Sequence, residues 1–111
     1  MAHALTWSRA ALADLDEIEA YIASQSPSSA QRVVERIVAA ANKLRDFPFS
    51  ARMVPEWQDP QIRETFVYSY RLIYRVDTAT MEVVAVFHGK RMLSAIADRF
   101  EEQEQGAYVL E

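Results

Sequence analysis

Two hydrophobic periods divide this chain, and the change between them limits the folds open to it. From Ser8 to Arg45 apolar residues recur every three or four positions; from Ile62 to His88 the spacing is two. A helical stripe and a strand alternation cannot be the same element, so helices and a sheet must share the chain. Ala11, Leu12, Leu15, Ile18 and Ile22 form the first stripe, with Ser8 before it as an N-cap and Asp14 and Glu17 assigned to the polar face. The pattern stops near SQSPSS. Ser26 and Pro27 then start a second helix, since proline is tolerated at the first helical position. Its stripe is Ala30, Val33, Val34, Ile37, Val38, Ala41 and Leu44, and Lys43 and Arg45 in its last turn suit the negative end of the helix dipole. Two such helices joined by a short link predict an antiparallel helical hairpin.

Residues 48–61 hold three prolines and no period, and read as a loop. Residues 62–68, 70–76 and 82–88 are rich in Ile, Val, Thr, Tyr and Phe and read as strands, with a turn at 77–80. In 70–76 one face carries Tyr70, Leu72, Tyr74 and Val76, and the other Arg71, Ile73 and Arg75. Residues 82–88 are apolar on both faces, which predicts a central or covered strand. Leu5–Trp7 is a candidate first strand, and Leu93, Ile96, Ala97 and Phe100 suggest a third helix that frays into Glu101, Glu102 and Glu104. The expected class is α+β: an antiparallel β-sheet with an N-terminal helical hairpin packed on it, in the order β-α-α-β-β-β-α. At 111 residues, 1–111 is expected to be a single domain.

Composition narrows the chemistry. The chain has no cysteine and only two histidines, His3 and His88, so no metal site and no cofactor are expected. No apolar run approaches the ~20 residues of a membrane span. MAHALTW lacks a charged start and a long apolar stretch, so a soluble cytoplasmic protein with no membrane partner is expected. Net charge is −4, distributed as −2 over residues 1–42, +2 over 43–92 and −4 over 93–111. A general nucleic-acid binder usually shows a clear basic excess. Here only a local basic cleft is open.

An ordered series of short pieces resembles the RelE/ParE superfamily of toxin–antitoxin toxins. It runs through Trp7-Ser8, Asp14-Leu15 with Ile18, Tyr21-Ile22, ARMVPE at 51–56, Arg63-Glu64, YRLIYRV at 70–76 and HGKR at 88–91. The series is most similar to the ParE branch, although Ala51 stands where that family usually has glycine. The resemblance implies a toxin held silent by a cognate antitoxin, in a heterotetramer or larger complex. In the ParE branch it implies DNA gyrase as the target, poisoned without chemistry by the toxin. In the RelE branch it implies cleavage of messenger RNA on the ribosome. A third reading is a family member without toxicity that acts as an antitoxin-binding module.

These readings need different residues. Metal-free ribonuclease chemistry needs a base, an acid and cations for the phosphate. His88, Glu64 or Tyr108 are the candidate proton carriers, with Arg71, Arg75, Lys90 and Arg91 as cations. A gyrase poison needs no catalytic residue, only a contact surface, for which Arg71, Arg75, Lys90, Arg91 and Trp57 are the candidates. Ile18, Ile22, Val34, Ile37 and Val38 on the hairpin are the candidate antitoxin contacts. Against these stand structural roles: packing for His88 and Trp7, an ion pair between Glu64 and Arg63, and a loop pinned by Arg52 and Glu56. Gly89 is expected to let the chain bend out of the last strand.

Overall fold

The computed structural model describes residues 2–89, 94, 96–100 and 108–110. In chain order the elements are β1 (Ala4–Trp7), α1 (Arg9–Ala23), α2 (Pro27–Lys43), a 3₁₀ turn (Pro48–Ser50), β2 (Arg52–Met53), β3 (Ile62–Val67), β4 (Tyr70–Val76), β5 (Thr80–His88) and a last 3₁₀ turn (Ala97–Phe100). Ser8 caps α1 as expected: its Oγ accepts from the Ala11 N–H at 3.0 Å. Pro27 opens α2, while the Ser26 side chain makes no capping bond to the backbone. The two helices pack as a hairpin against one face of the sheet.

The sheet has five strands in the order β1-β5-β4-β3-β2. β2 to β5 form an antiparallel meander, but β1 lies parallel to β5, with Leu5 beside Met81 and Trp7 beside Val83. The sheet is therefore mixed where the sequence suggested an antiparallel one. Side-chain period reports which residues share a face, not strand direction; here the hairpin carries the chain from β1 to the far edge. β5 sits between β1 and β4, which accounts for its apolar residues on both faces.

Both faces of the sheet carry a core. Toward the helices, Trp7, Leu15, Ile37, Leu72, Tyr74 and Met81 are buried together. On the opposite face Val54, Ile62, Ile73, Ala85, Phe87 and Ile96 form a second cluster, lidded by Trp57 and Phe100. In place of the expected third helix, the described residues form only the 3₁₀ turn Ala97–Phe100; Leu93 and Glu101–Glu104 lie outside them. The proline loop also departs from expectation, since it contains β2 and the Pro48–Ser50 turn.

A bulge shapes β5. Ile73 pairs with Ala85 but Tyr74 with Val83, leaving Val84 as the extra residue. Beyond Val83 no strand flanks β5 on the β1 side among the described residues, because β1 ends at Trp7. Asp14 fills that place: its Oδ2 accepts from the Val86 N–H at 2.9 Å and from Arg99 Nη1 at 2.7 Å, and its Oδ1 from Arg99 Nη2 at 3.1 Å. Asp14 is thus buried, not on the solvent face assigned from periodicity. On the free edge of β1, Trp7 and Tyr108 exchange backbone hydrogen bonds.

Candidate functional site

A chain of four charged groups crosses the sheet face opposite the helices. In the β2–β3 register Arg52 pairs directly with Glu64, and in the β3–β4 register Arg71 stands one step along, opposite Phe66. Direct and diagonal neighbours on one sheet face are within side-chain reach. Glu64 accepts from Arg52 Nε and from Arg71 Nε, both at 2.5 Å, and Arg71 Nη2 donates to Glu56 at 3.0 Å. The Glu64 side chain has no exposed surface and that of Arg71 only 8%, whereas Arg52 and Glu56 reach solvent. The network is neutral in sum, as burial requires. The hydrogen bond from Arg71 holds the Glu56 carboxyl below the usual carboxylate range.

This arrangement corrects three assignments. Glu64 pairs with Arg52 and Arg71 and not with its neighbour Arg63, because adjacent strand residues point to opposite faces. Arg63 instead donates from Nε to the Pro60 carbonyl at 2.8 Å and lies over the Phe49 ring at 5.0 Å. Arg71 is a buried structural cation, so it presents no free charge to a target. Arg75 is likewise engaged, donating to Glu82 at 3.1 Å across a direct β4–β5 pair.

His88 ends β5 opposite Tyr70, with the two rings edge-to-face at 6.0 Å. Alternation along β5 puts it on the side of Val86, the helix side, while Ala85 and Phe87 join the opposite core. It lines a cleft of about 320 Å³ with Tyr21, Ile18 and Asp14 of α1. Glu64 and Arg71 lie on the other side of the sheet. The structure therefore splits the residues proposed to act together in a nuclease. Tyr108 is farther away, on the outer edge of β1, with its hydroxyl accepting from Arg9 Nη2 at 3.2 Å. Among the described residues no three His, Asp or Glu side chains converge as a metal set would.

The contact candidates also sort by burial. Trp57 packs edge-to-face on Phe100 at 5.0 Å and lids the second core, so it is not the exposed anchor suggested by its loop position. Lys90 and Arg91 lie outside the described residues. Of the hairpin candidates, Ile18 and Ile37 belong to the core, at 7% and 0% exposure, because their stripe faces the sheet. Ile22, Val34 and Val38 remain half-exposed, and the latter two line a shallow groove of about 370 Å³ with Leu12, Leu15 and Leu110. Gly89 sits in close packing: a Cβ there would meet the Phe66 ring and the Ser69 carbonyl oxygen at 3.3 Å, so a larger residue needs a small shift of these neighbours.

Comparison with known proteins fits these observations. The family model described as "ParE toxin of type II toxin-antitoxin system, parDE" matches residues 5–93. The protein named Toxin RelE2 of Caulobacter vibrioides is 33% identical over 89 residues, covering 79% of this chain and 97% of that one. The Putative toxin Y4kP of Sinorhizobium fredii is 46% identical over 48 residues, covering 43% and 50%. Among solved structures, a chain of the chromosomal ParDE system from P. aeruginosa superposes with a TM-score of 0.65 at 24% identity, covering 78% of this chain and 95% of that one. A mutant of the E. coli toxin RelE in its free state gives 0.61 at 19%, covering 92% and 94%. The two structures share the fold of a helical hairpin on a mixed sheet. Over most of its length this chain belongs to the ParE toxin family of type II toxin–antitoxin systems, within the RelE/ParE superfamily.

Proposed function

We propose that this toxin arrests growth by binding DNA gyrase, that it performs no chemistry of its own, and that a cognate antitoxin silences it by direct contact. The observation that carries this reading is the separation of His88 from Glu64 and Arg71 by the thickness of the sheet. Proton transfer needs donor and acceptor within hydrogen-bond reach of one reacting atom. Both Glu64 oxygens are already taken by guanidinium donors, and the carboxylate is shut away from solvent. Arg75 is tied to Glu82. Among the described residues what remains is a folded scaffold with exposed surfaces, which suits a protein that acts by docking. The family match supports an antitoxin as the partner; gyrase as the target, and a heterotetramer or larger assembly, are what the resemblance to the ParE branch implies. Gyrase acts on cytoplasmic DNA, so the toxin's site of action is the cytoplasm; among the described residues no helix is long and apolar enough to cross a membrane.

The test compares growth arrest by two variants. His88→Gln keeps a polar side chain of similar reach but cannot serve as acid or base near neutral pH. Glu56→Gln keeps the shape of the exposed carboxyl and removes its charge. A docking toxin retains growth arrest in both. Loss of arrest in His88→Gln, with thermal stability and antitoxin capture intact, would move the ribosome-dependent nuclease ahead.

A further inference from the structure

One edge of the sheet is left open beside a basic, aromatic surface. β2 has two residues and covers β3 only at Arg63 and Glu64. Thr65, Phe66 and Val67 pair with β4 on one side and with no strand on the other among the described residues. The Ile62 carbonyl accepts from Val54 toward β2, and the Gln61 carbonyl from Val76 toward β4. By alternation, the N–H and C=O of Phe66 point outward from the edge. They open into a groove of about 550 Å³ between β3 and α2, lined by Arg36, Ala39, Ala40, Lys43, Val67 and Tyr68 together with Phe66. The two alanines leave the groove unfilled from the helix side.

Three features distinguish this groove from ordinary surface. First, Arg36 and Lys43 are exposed and no ion pair ties them among the described residues, in a chain whose net charge is −4. Second, two of the six exposed large hydrophobic residues among the described ones, Phe66 and Tyr68, line it. Third, Tyr68 holds φ at +55° while 60% exposed. A bulky side chain is rarely found in the left-handed region, where Asn or Gly is easier. Its exposed ring contributes little to the core, so folding alone does not account for an aromatic there.

We infer that this groove is the toxin's target-contact surface, and that its occupant is an acidic, extended segment of the target protein. Cations on the rim select carboxylates, exposed Tyr and Phe supply the apolar anchors that carry interface energy, and the outward amide of Phe66 can pair with an added strand. The inference rests on the docking reading above and adds the surface and the chemistry of the partner. It replaces Arg71, Arg75 and Trp57, which are engaged within the fold.

Two variants test it: Tyr68→Asn, which relieves the left-handed backbone, and the double change Arg36→Glu with Lys43→Glu, which reverses the rim. Growth arrest, thermal midpoint, antitoxin capture and binding of a 5′-labelled single-stranded RNA oligonucleotide are measured for each. The expected result is unchanged or higher thermal stability and retained antitoxin capture. The inducer level needed for arrest should rise by about tenfold or more, as for loss of an interface anchor. Unchanged toxicity in both variants would overturn the inference. So would loss of antitoxin capture, which makes the groove the antitoxin's seat or a structural requirement. RNA binding by the wild type that the charge reversal abolishes would also overturn it, in favour of a nucleic-acid surface. Growth arrest does not depend on the target being gyrase, so a wild type that arrests cells without trapping gyrase removes the gyrase reading alone. A wild type that arrests nothing sinks both.

Discussion

Glu64 holds the far face of the sheet together, and its burial sets what substitution must cost. Removing it leaves Arg71 buried with one fewer partner, at 8% side-chain exposure. Breaking a buried pair from one side costs about 3–5 kcal/mol, whereas replacing both partners by apolar groups is often near neutral. Glu64→Leu should therefore lower the urea midpoint strongly, and adding Arg71→Met should restore most of the loss. Tyr74 gives a second prediction at this scale. Its hydroxyl donates to the Pro48 carbonyl, and burial pushes its pKa up to about 12 from 10.0. Above pH 10 the unfolded chain ionises first, so the stability that Tyr74 contributes is present below pH 10 and lost as pH rises toward 12. The slope for one such group approaches about 1.4 kcal/mol per pH unit. Tyr74→Phe should flatten unfolding measured across that interval. Glu56 runs the other way: its lowered pKa contributes stability above the ordinary value of 4.5 that is lost as pH falls below it. The charges of this network were plain in the sequence, but their partners were not. Arg63 beside Glu64 looked like a pair, and only the two-residue β2 brings Arg52 there instead.

At the level of elements, the helical hairpin and β3 to β5 were legible because each carries a long, consistent period. β2 was not, being too short for any period and set inside a proline loop. Nor was the parallel direction of β1, which depends on where the hairpin delivers the chain. The bulge at Val84 also left no mark, and nor did the end of β1 at Trp7, which leaves the Val86 N–H to Asp14. Ser8 joins these elements: it caps α1 and its Oγ donates to the Val84 carbonyl at 3.3 Å. Ser8→Ala should cost about 1–2 kcal/mol, at the upper end for a cap, in a denaturant titration. Asp14→Asn should cost more, since it weakens a charge-assisted pair with Arg99 while leaving the guanidinium half-buried. A smaller loss for Asp14→Asn than for Ser8→Ala would contradict the role given to Asp14 beside β5.

For the whole molecule, the family was readable from an ordered set of short motifs, but the site was not. Those motifs mark the scaffold: ARMVPE and YRLIYRV supply Arg52, Glu56 and Arg71 to an internal network. The exposed basic and aromatic residues fall at Arg36, Lys43, Phe66 and Tyr68, on separate elements with no shared motif, and they meet where α2 packs beside the end of β3. On the reading proposed above, the folded toxin disables gyrase by binding it. Its most direct test is to incubate the purified toxin with gyrase, ATP and supercoiled plasmid, and to measure covalently trapped, cleaved DNA. A docking toxin should give cleaved plasmid that increases with toxin and disappears when the antitoxin is added first. Intact plasmid at every toxin concentration, alongside cut messenger RNA in a translating extract given the same preparation, would contradict it.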